Sequence, residues 1–248
     1  MRHLPFEAVF NFRDLGGYDT ADGGTIRWQH LYRADALHRF TSDEAEQIRA
    51  LNLQTVIDLR QVREIEERGR FPVEDHPVAW EHASMIVTRW DAYERPTSEE
   101  ETFDFLAERY VDMLVEGADS LRRIFALLAR PESYPVVFHC AAGKDRTGTL
   151  AALLLELVGV DDAVIAADYG LSTAPMVPLQ QWIREHVDGG KEDMVNGPKA
   201  FFEAPPEAMH RFLARLRASY GGARGYLHSL GFDDVTIDAV IENVVERA

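Results

Sequence analysis

Cysteine is nearly absent. Cys140 is the only one among 248 residues. No disulfide can close within the chain, which suits a reducing compartment, and no site built on paired thiolates is available. The histidines are scattered and no His-Glu-x-x-His appears, so no metal is expected. Positive charge is also scarce: 26 Lys and Arg stand against 42 Asp and Glu, a formal net charge of −16. That excludes nucleic acid as a partner, because binding it needs a basic face. It also disfavours adhesion to an anionic membrane, while leaving room for a local basic pocket. Long apolar runs are missing as well. The richest, Leu150 to Val160, is broken by Glu156 and is too short to span a bilayer, so no integral membrane segment is expected. The N-terminal stretch MRHLPFEAVFNFRDLGG lacks a continuous apolar core and does not read as a signal peptide. These absences together predict a cytoplasmic protein.

The chain shows no internal repeat and no low-complexity tract, so residues 1–248 read as one domain. LGGYDTADGG near the N-terminus is rich in turn residues, and IRWQHLYRAD reads as a short strand region. TSDEAEQIRALN opens with a capping Thr-Ser and acidic residues, then shows helical spacing at Ala45 and Ile48. QTVIDLR and PVVFHC are compact β-branched runs typical of buried strands, and VAWEHASMIV reads as another. REIEERGR is a short charged helix ended by Gly69. Helices are predicted from Ser98 to Glu116, from Asp119 to Arg130 and from Thr147 to Val158, with more in the C-terminal third through DDVTIDAVIENVVERA. HVDGGKEDMVNGPKAFFEAPP is the least regular stretch and reads as a loop. Alternating strands and helices imply an α/β fold, a central mainly parallel sheet flanked by helices.

The lone cysteine sits in VVFHCAAGKDRTGTLAALLLELVG, between a strand and a helix. In such a fold, ligands gather beyond the carboxyl ends of parallel strands. Ala141, Ala142, Gly143, Lys144 and Asp145 form a loop of mostly small residues whose N–H groups can cradle an anion. The helix N-terminus adds a positive end, and Arg146 can grip two phosphate oxygens with its planar fork. The same field favours the thiolate of a cysteine placed there, which makes Cys140 a candidate nucleophile. Anion receptor and nucleophile together describe attack on phosphorus. Gly143-Lys144 is not a nucleotide-binding P-loop: that motif needs Ser or Thr after the Lys and a Gly five positions before it, where this chain has Asp145 and His139.

HCAAGKDRTG matches the Cys-x5-Arg signature of the cysteine-dependent protein tyrosine and dual-specificity phosphatases. With NFRDLGG near the N-terminus, TVIDLRQVRE in between and ADYGLS after the signature helix, the chain resembles the bacterial tyrosine/serine phosphatases. The resemblance implies a protein tyrosine phosphatase-like fold with a helical lid or insertion. It also implies hydrolysis through a phosphocysteine, without metal or other cofactor. Cys140 is then the nucleophile. Arg146 and the backbone of Ala141, Ala142, Gly143 and Lys144 hold the phosphate, and Asp145 is the candidate general acid. Thr147 matches the hydroxyl that helps Cys140 depart, and His139 the residue that tunes the thiolate. Asp58 is the alternative acid, with an ion pair to Arg60 as its competing role. Asp168 is a third, with structural capping favoured. Asn11, Arg13 and Asp14 are expected to brace the turn that Gly16 and Gly17 require.

Phosphotyrosine proteins are the leading substrates, and phosphoinositides on the same site are the alternative. Lys144 suits the lipid reading, whereas Ala141 stands where tensin-type lipid phosphatases often carry a second Lys. A silent phosphate-binding module is disfavoured by the intact Cys, Asp and Arg. A sulfurtransferase is disfavoured by loop size and the Arg-Thr-Gly ending. The segments Glu99–Leu128 and Pro175–Pro206, with Phe103, Phe105, Phe201 and Phe202, are candidate lids, although ordinary helix packing competes for the first.

Overall fold

The computed structural model of the chain describes residues 2–86, 88, 93, 94, 96–186 and 202–247. Seven strands occur among them: β1 (Arg13–Asp14), β2 (Thr25–Ile26), β3 (Leu31–Ala34), β4 (Thr55–Asp58), β5 (Ala79–His82), β6 (Val136–His139) and β7 (Val245–Glu246). Five form one sheet in the order β1-β3-β6-β4-β5. Strands β3, β6, β4 and β5 are parallel, and β1 pairs antiparallel with β3 at the edge. The three inner parallel strands β3, β4 and β6 are short and wholly buried, which is why they read as compact runs and not as alternating ones, while β5 at the edge is partly exposed.

Successive side chains point to opposite faces, and β3, β4 and β6 each supply two cores. Leu31, Ile57, Val136 and Phe138 enter the larger cluster, while Tyr32, Ala34, Val56 and Val137 enter the smaller one. The smaller side is closed by α1 (Ala45–Ala50) through Ile48, and by Phe12 and Phe71. Helix α2 (Val62–Arg68) follows β4 and ends at Gly69, as its sequence predicts. The larger side is built by α3 (Glu99–Glu116), α4 (Ala118–Leu128), α5 (Asp145–Leu157), α6 (Asp162–Gly170), α8 (Pro206–Tyr220), α9 (Ala223–Ser229) and α10 (Asp234–Val244). Helix α7 (Thr173–His186) follows α6.

Three expectations change. Helix α5 begins at Asp145, so the acidic residue belongs to the first helical turn. The C-terminus is not helical to its end: β7 pairs antiparallel with β2, a contact across the whole chain length. The Glu99–Leu128 segment is no lid. Its helices bury Leu106, Ala107, Tyr110, Met113 and Leu114, then Leu121, Ile124, Phe125 and Leu128. A helix that gives one whole face to the core cannot lift without exposing it. Of the other candidate lid, residues 175–186 belong to α7, and residues 187–201, with Phe201, lie outside the described residues.

The register fixes where the site lies. Ala34, His139 and Asp58 pair at the carboxyl ends of adjacent strands β3, β6 and β4. The residues that follow, Asp35, Cys140 and Leu59, therefore emerge side by side at one edge of the sheet. That is where an open α/β sheet gathers its ligands.

Candidate active site

Cys140 leaves β6 nearly buried, 2% exposed, at the mouth of the turn into α5. Gly143 makes this turn possible. Its φ is +66°, and a Cβ there would stand 2.6 Å from the Ala34 carbonyl oxygen. Both the left-handed backbone and the close approach demand glycine.

The loop carbonyls are pulled away from the cradle. Asn11 Nδ2 donates to the Ala142 carbonyl at 3.0 Å, and Arg33 Nη2 donates to the Gly143 carbonyl at 2.8 Å. Because each peptide unit is planar and trans, fixing a carbonyl on one side turns the next N–H to the other. The N–H groups of Ala141, Ala142 and Gly143 have no acceptor among the described residues. They stand at the N-terminus of α5, where partial positive charge collects. An anion held here meets donors that no described residue occupies.

Arg33 and Arg13 are held in turn by Asp168. Arg33 Nη1 reaches Asp168 Oδ2 at 2.6 Å, Arg13 Nε reaches Oδ1 at 3.1 Å, and the Tyr18 hydroxyl donates to Oδ1 at 3.1 Å. Burial works against the Asp168 charge, but the two guanidiniums outweigh it and hold the carboxyl below the usual range. The Asp168 carboxylate is therefore held beneath the loop by two arginines and a tyrosine, and caps no helix. Asp14 does brace the expected turn, its carboxylate accepting from the Gly16 and Gln29 N–H groups at 2.7 Å each. Asn11 and Arg13, by contrast, support the loop after Cys140 and Asp168.

Arg146 lies beside Cys140 with its fork on Glu64, Nη1 at 2.5 Å from Oε2 and Nη2 at 3.1 Å from Oε1. Burial opposes the Arg146 charge, but Cys140 and Glu64 more than compensate and raise its pKa. Glu64 also accepts from the Gln61 N–H at 2.8 Å, closing the N-terminus of α2. No sequence reasoning had assigned it a role. Its only sequence signal is the capping spacing from Gln61.

His139 and Asp58 sit behind Cys140, both without solvent contact, with Nε2 and Oδ2 3.5 Å apart. Asp58 clamps Arg60, with Nη2 at 2.6 Å and Nε at 2.9 Å, so the competing ion pair is the role the geometry gives it. The Thr147 hydroxyl is buried without a hydrogen-bond partner among the described residues. Lys144 does not reach into solvent. It is buried, with Nζ donating to the Glu203 carbonyl at 3.0 Å and lying 3.4 Å from Asp145 Oδ1. Asp145 is partly exposed, its Oδ1 accepting from the Tyr110 hydroxyl at 2.7 Å. Among the described residues, no group of three or more His, Cys, Asp and Glu gathers as a metal would need.

A thiol, an arginine fork, unused N–H donors and a solvent-accessible carboxyl thus meet around one loop. A model of the tyrosine phosphatase family matches residues 4–246. A tyrosine-protein phosphatase of Nostoc commune is 31% identical over 83% of this chain and 70% of its own. The triple specificity protein phosphatase PtpB of Mycobacterium tuberculosis is 29% identical over 96% of both chains. On this match and this site, the chain belongs to the tyrosine phosphatase family.

Proposed function

We propose that this protein hydrolyses phosphotyrosine in proteins, with some tolerance for other phosphomonoesters, through a phosphocysteine on Cys140. The observation that carries the reading is the loop itself: three backbone donors without an acceptor among the described residues, opening between a cysteine and the arginine six residues on. In the first step the Cys140 sulfur attacks phosphorus as the bond to the leaving oxygen breaks, and Asp145 protonates that oxygen. The loop N–H groups and Arg146 bind the equatorial oxygens, whose charge they neutralise in the transition state. In the second step water attacks phosphorus, the Asp145 carboxylate takes its proton, and the S–P bond breaks. The Thr147 hydroxyl, buried and without a partner among the described residues, supports the departing sulfur.

The alternative substrate, a phosphoinositide at the same site, leans on Lys144. That ammonium is buried against the Glu203 carbonyl, which favours the phosphoprotein reading. No helix among the described residues is long and apolar enough to cross a membrane. A sole cysteine that must stay reduced to act suits the cytoplasm.

The test is p-nitrophenyl phosphate hydrolysis in EDTA, wild type against Cys140→Ser. Turnover that persists in EDTA and vanishes in the variant supports the phosphocysteine. Equal turnover in both proteins overturns it.

A further inference from the structure

Asp145 is held by an arrangement that the reaction scheme leaves unexplained. Tyr110, on the inner face of α3, and Tyr169, on α6, are fully buried phenols with hydroxyl oxygens 2.5 Å apart. Their rings meet edge to face at 6.0 Å, and Phe212 of α8 closes the other side of Tyr110 at 6.0 Å. Buried hydroxyls are costly unless bonded, so two such groups call for a reason. The Tyr110 hydroxyl leads out of the core to Asp145 Oδ1 at 2.7 Å. Gly148 makes the geometry possible, since a Cβ there would stand 2.8 Å from the Tyr169 ring. The glycine of the Arg-Thr-Gly ending is therefore where the Tyr169 ring crosses α5.

The direction of the chain follows from donor counting. An ionised carboxylate only accepts, so Tyr110 gives its single proton to Oδ1. Tyr169 must then donate to the Tyr110 oxygen. Lys144 Nζ also approaches Oδ1, at 3.4 Å. Among the described residues no partner falls on Oδ2.

We infer that Tyr110 and Tyr169 are positioning residues: a relay of two phenols that occupies Asp145 Oδ1 and leaves Oδ2 to carry the transferable proton. This rests on the reading of Asp145 as the general acid. When Oδ2 gives its proton to the leaving oxygen, the electron pair of the breaking P–O bond stays on that oxygen. Negative charge then appears on the carboxylate, and the hydrogen bond from Tyr110 strengthens as it does so. In the second step the same bond holds the carboxylate in place to take a proton from water. The other groups facing the carboxyl are Lys144 and Arg146 from its own loop and helix. Both phenols are pushed up, first by burial and then by Asp145, so they remain donors throughout the working pH range.

The experiment compares Tyr110→Phe, Tyr169→Phe, Asp145→Asn and Tyr110→Phe/Asp145→Asn with wild type. It uses aryl phosphates with leaving groups of graded basicity, with vanadate affinity as the check that the cradle is intact. A donor on Oδ1 holds the carboxyl in place and stabilises the charge that appears on it as its proton leaves, so losing that donor should tell most where the leaving group needs the proton. In Tyr110→Phe, kcat on poor leaving groups should fall about tenfold while good leaving groups change little. Tyr169→Phe should act the same way by less. With Asp145→Asn already present, Tyr110→Phe should change little. If Asp145→Asn keeps the wild-type leaving-group dependence, the assignment of the acid fails. If Asp145→Asn loses the poor leaving groups but Tyr110→Phe keeps the wild-type leaving-group dependence, or costs as much in the Asp145→Asn background, the relay fails and the acid stands.

Discussion

Asp58 and His139 face each other from neighbouring strands, and water reaches neither. Burial keeps His139 neutral and lowers its pKa from 6.5 to about 4. Burial also opposes the charge on Asp58, yet His139 and Arg60 prevail and its pKa drops from 3.8 to about 2. At neutral pH His139 carries no charge, so Arg60 is the partner that counts there. Both folded values lie below the unfolded ones. Each group therefore adds stability that is complete above its unfolded pKa and is lost as pH falls towards its folded pKa. His139 acts first, between pH 6.5 and about 4, and Asp58 below that, between 3.8 and about 2. The expected result is a urea-unfolding free energy that declines in two stages on acidification. In the upper stage about 3 kcal/mol should belong to His139 and drop out of the decline in His139→Gln, the remainder coming from His38 and His30, whose pKa values burial also lowers. A midpoint that is flat from pH 7 to pH 4 in the wild type would contradict it.

Between elements, the site depends on α2 lending Glu64 to an arginine in α5, 82 residues later. A bidentate pair fixes the plane of the guanidinium, and a fork aimed before substrate arrives loses less freedom when it closes on phosphate. Glu64→Gln keeps the shape and the cap on Gln61 but weakens the hold on Arg146. The expected outcome is a fall of about tenfold in kcat/KM with a parallel loss of vanadate affinity, while the unfolding midpoint changes little. An unchanged vanadate affinity would mean that Arg146 is oriented by the loop alone. The same pair shows what the sequence hides. Strand β6, its loop and α5 are contiguous, so cysteine, glycine and arginine announce themselves by spacing. Glu64 with Arg146, and Asp168 with Arg13 and Arg33, are joined only by folding across 82, 155 and 135 residues. An isolated glutamate in a charged helix looks like solvated surface, and an aspartate in ADYGLS looks like a cap. The pairing of β2 with β7 escapes for the same reason, because two-residue strands at opposite ends of the chain carry no period to read.

Across the whole molecule, an enzyme acting on an anion carries a formal charge of −16. The arginines around the cradle do not offset this. Arg13 and Arg33 are spent on Asp168, Arg39 on Asp35, Arg60 on Asp58 and Arg146 on Glu64. These five cations face four carboxylates, Asp168 being shared, and so leave a single positive charge beside the cradle: the phosphate is recognised by aimed donors at short range, while the charge of the whole stays negative. Fields of this kind act over about a Debye length, roughly 10 Å at 0.1 M salt, which covers the residues flanking a phosphotyrosine. Phosphopeptides with Lys or Arg beside the phosphotyrosine should therefore give kcat/KM about tenfold above those with Asp or Glu at low salt. The gap should narrow to about twofold near 0.5 M salt, where the Debye length is only a few ångströms, and kcat should hardly change because the effect lies in encounter. Steady-state kinetics on such a peptide pair across ionic strength reads this directly. A preference for acidic flanks at low salt would show instead that a basic rim at the mouth overrides the charge of the whole.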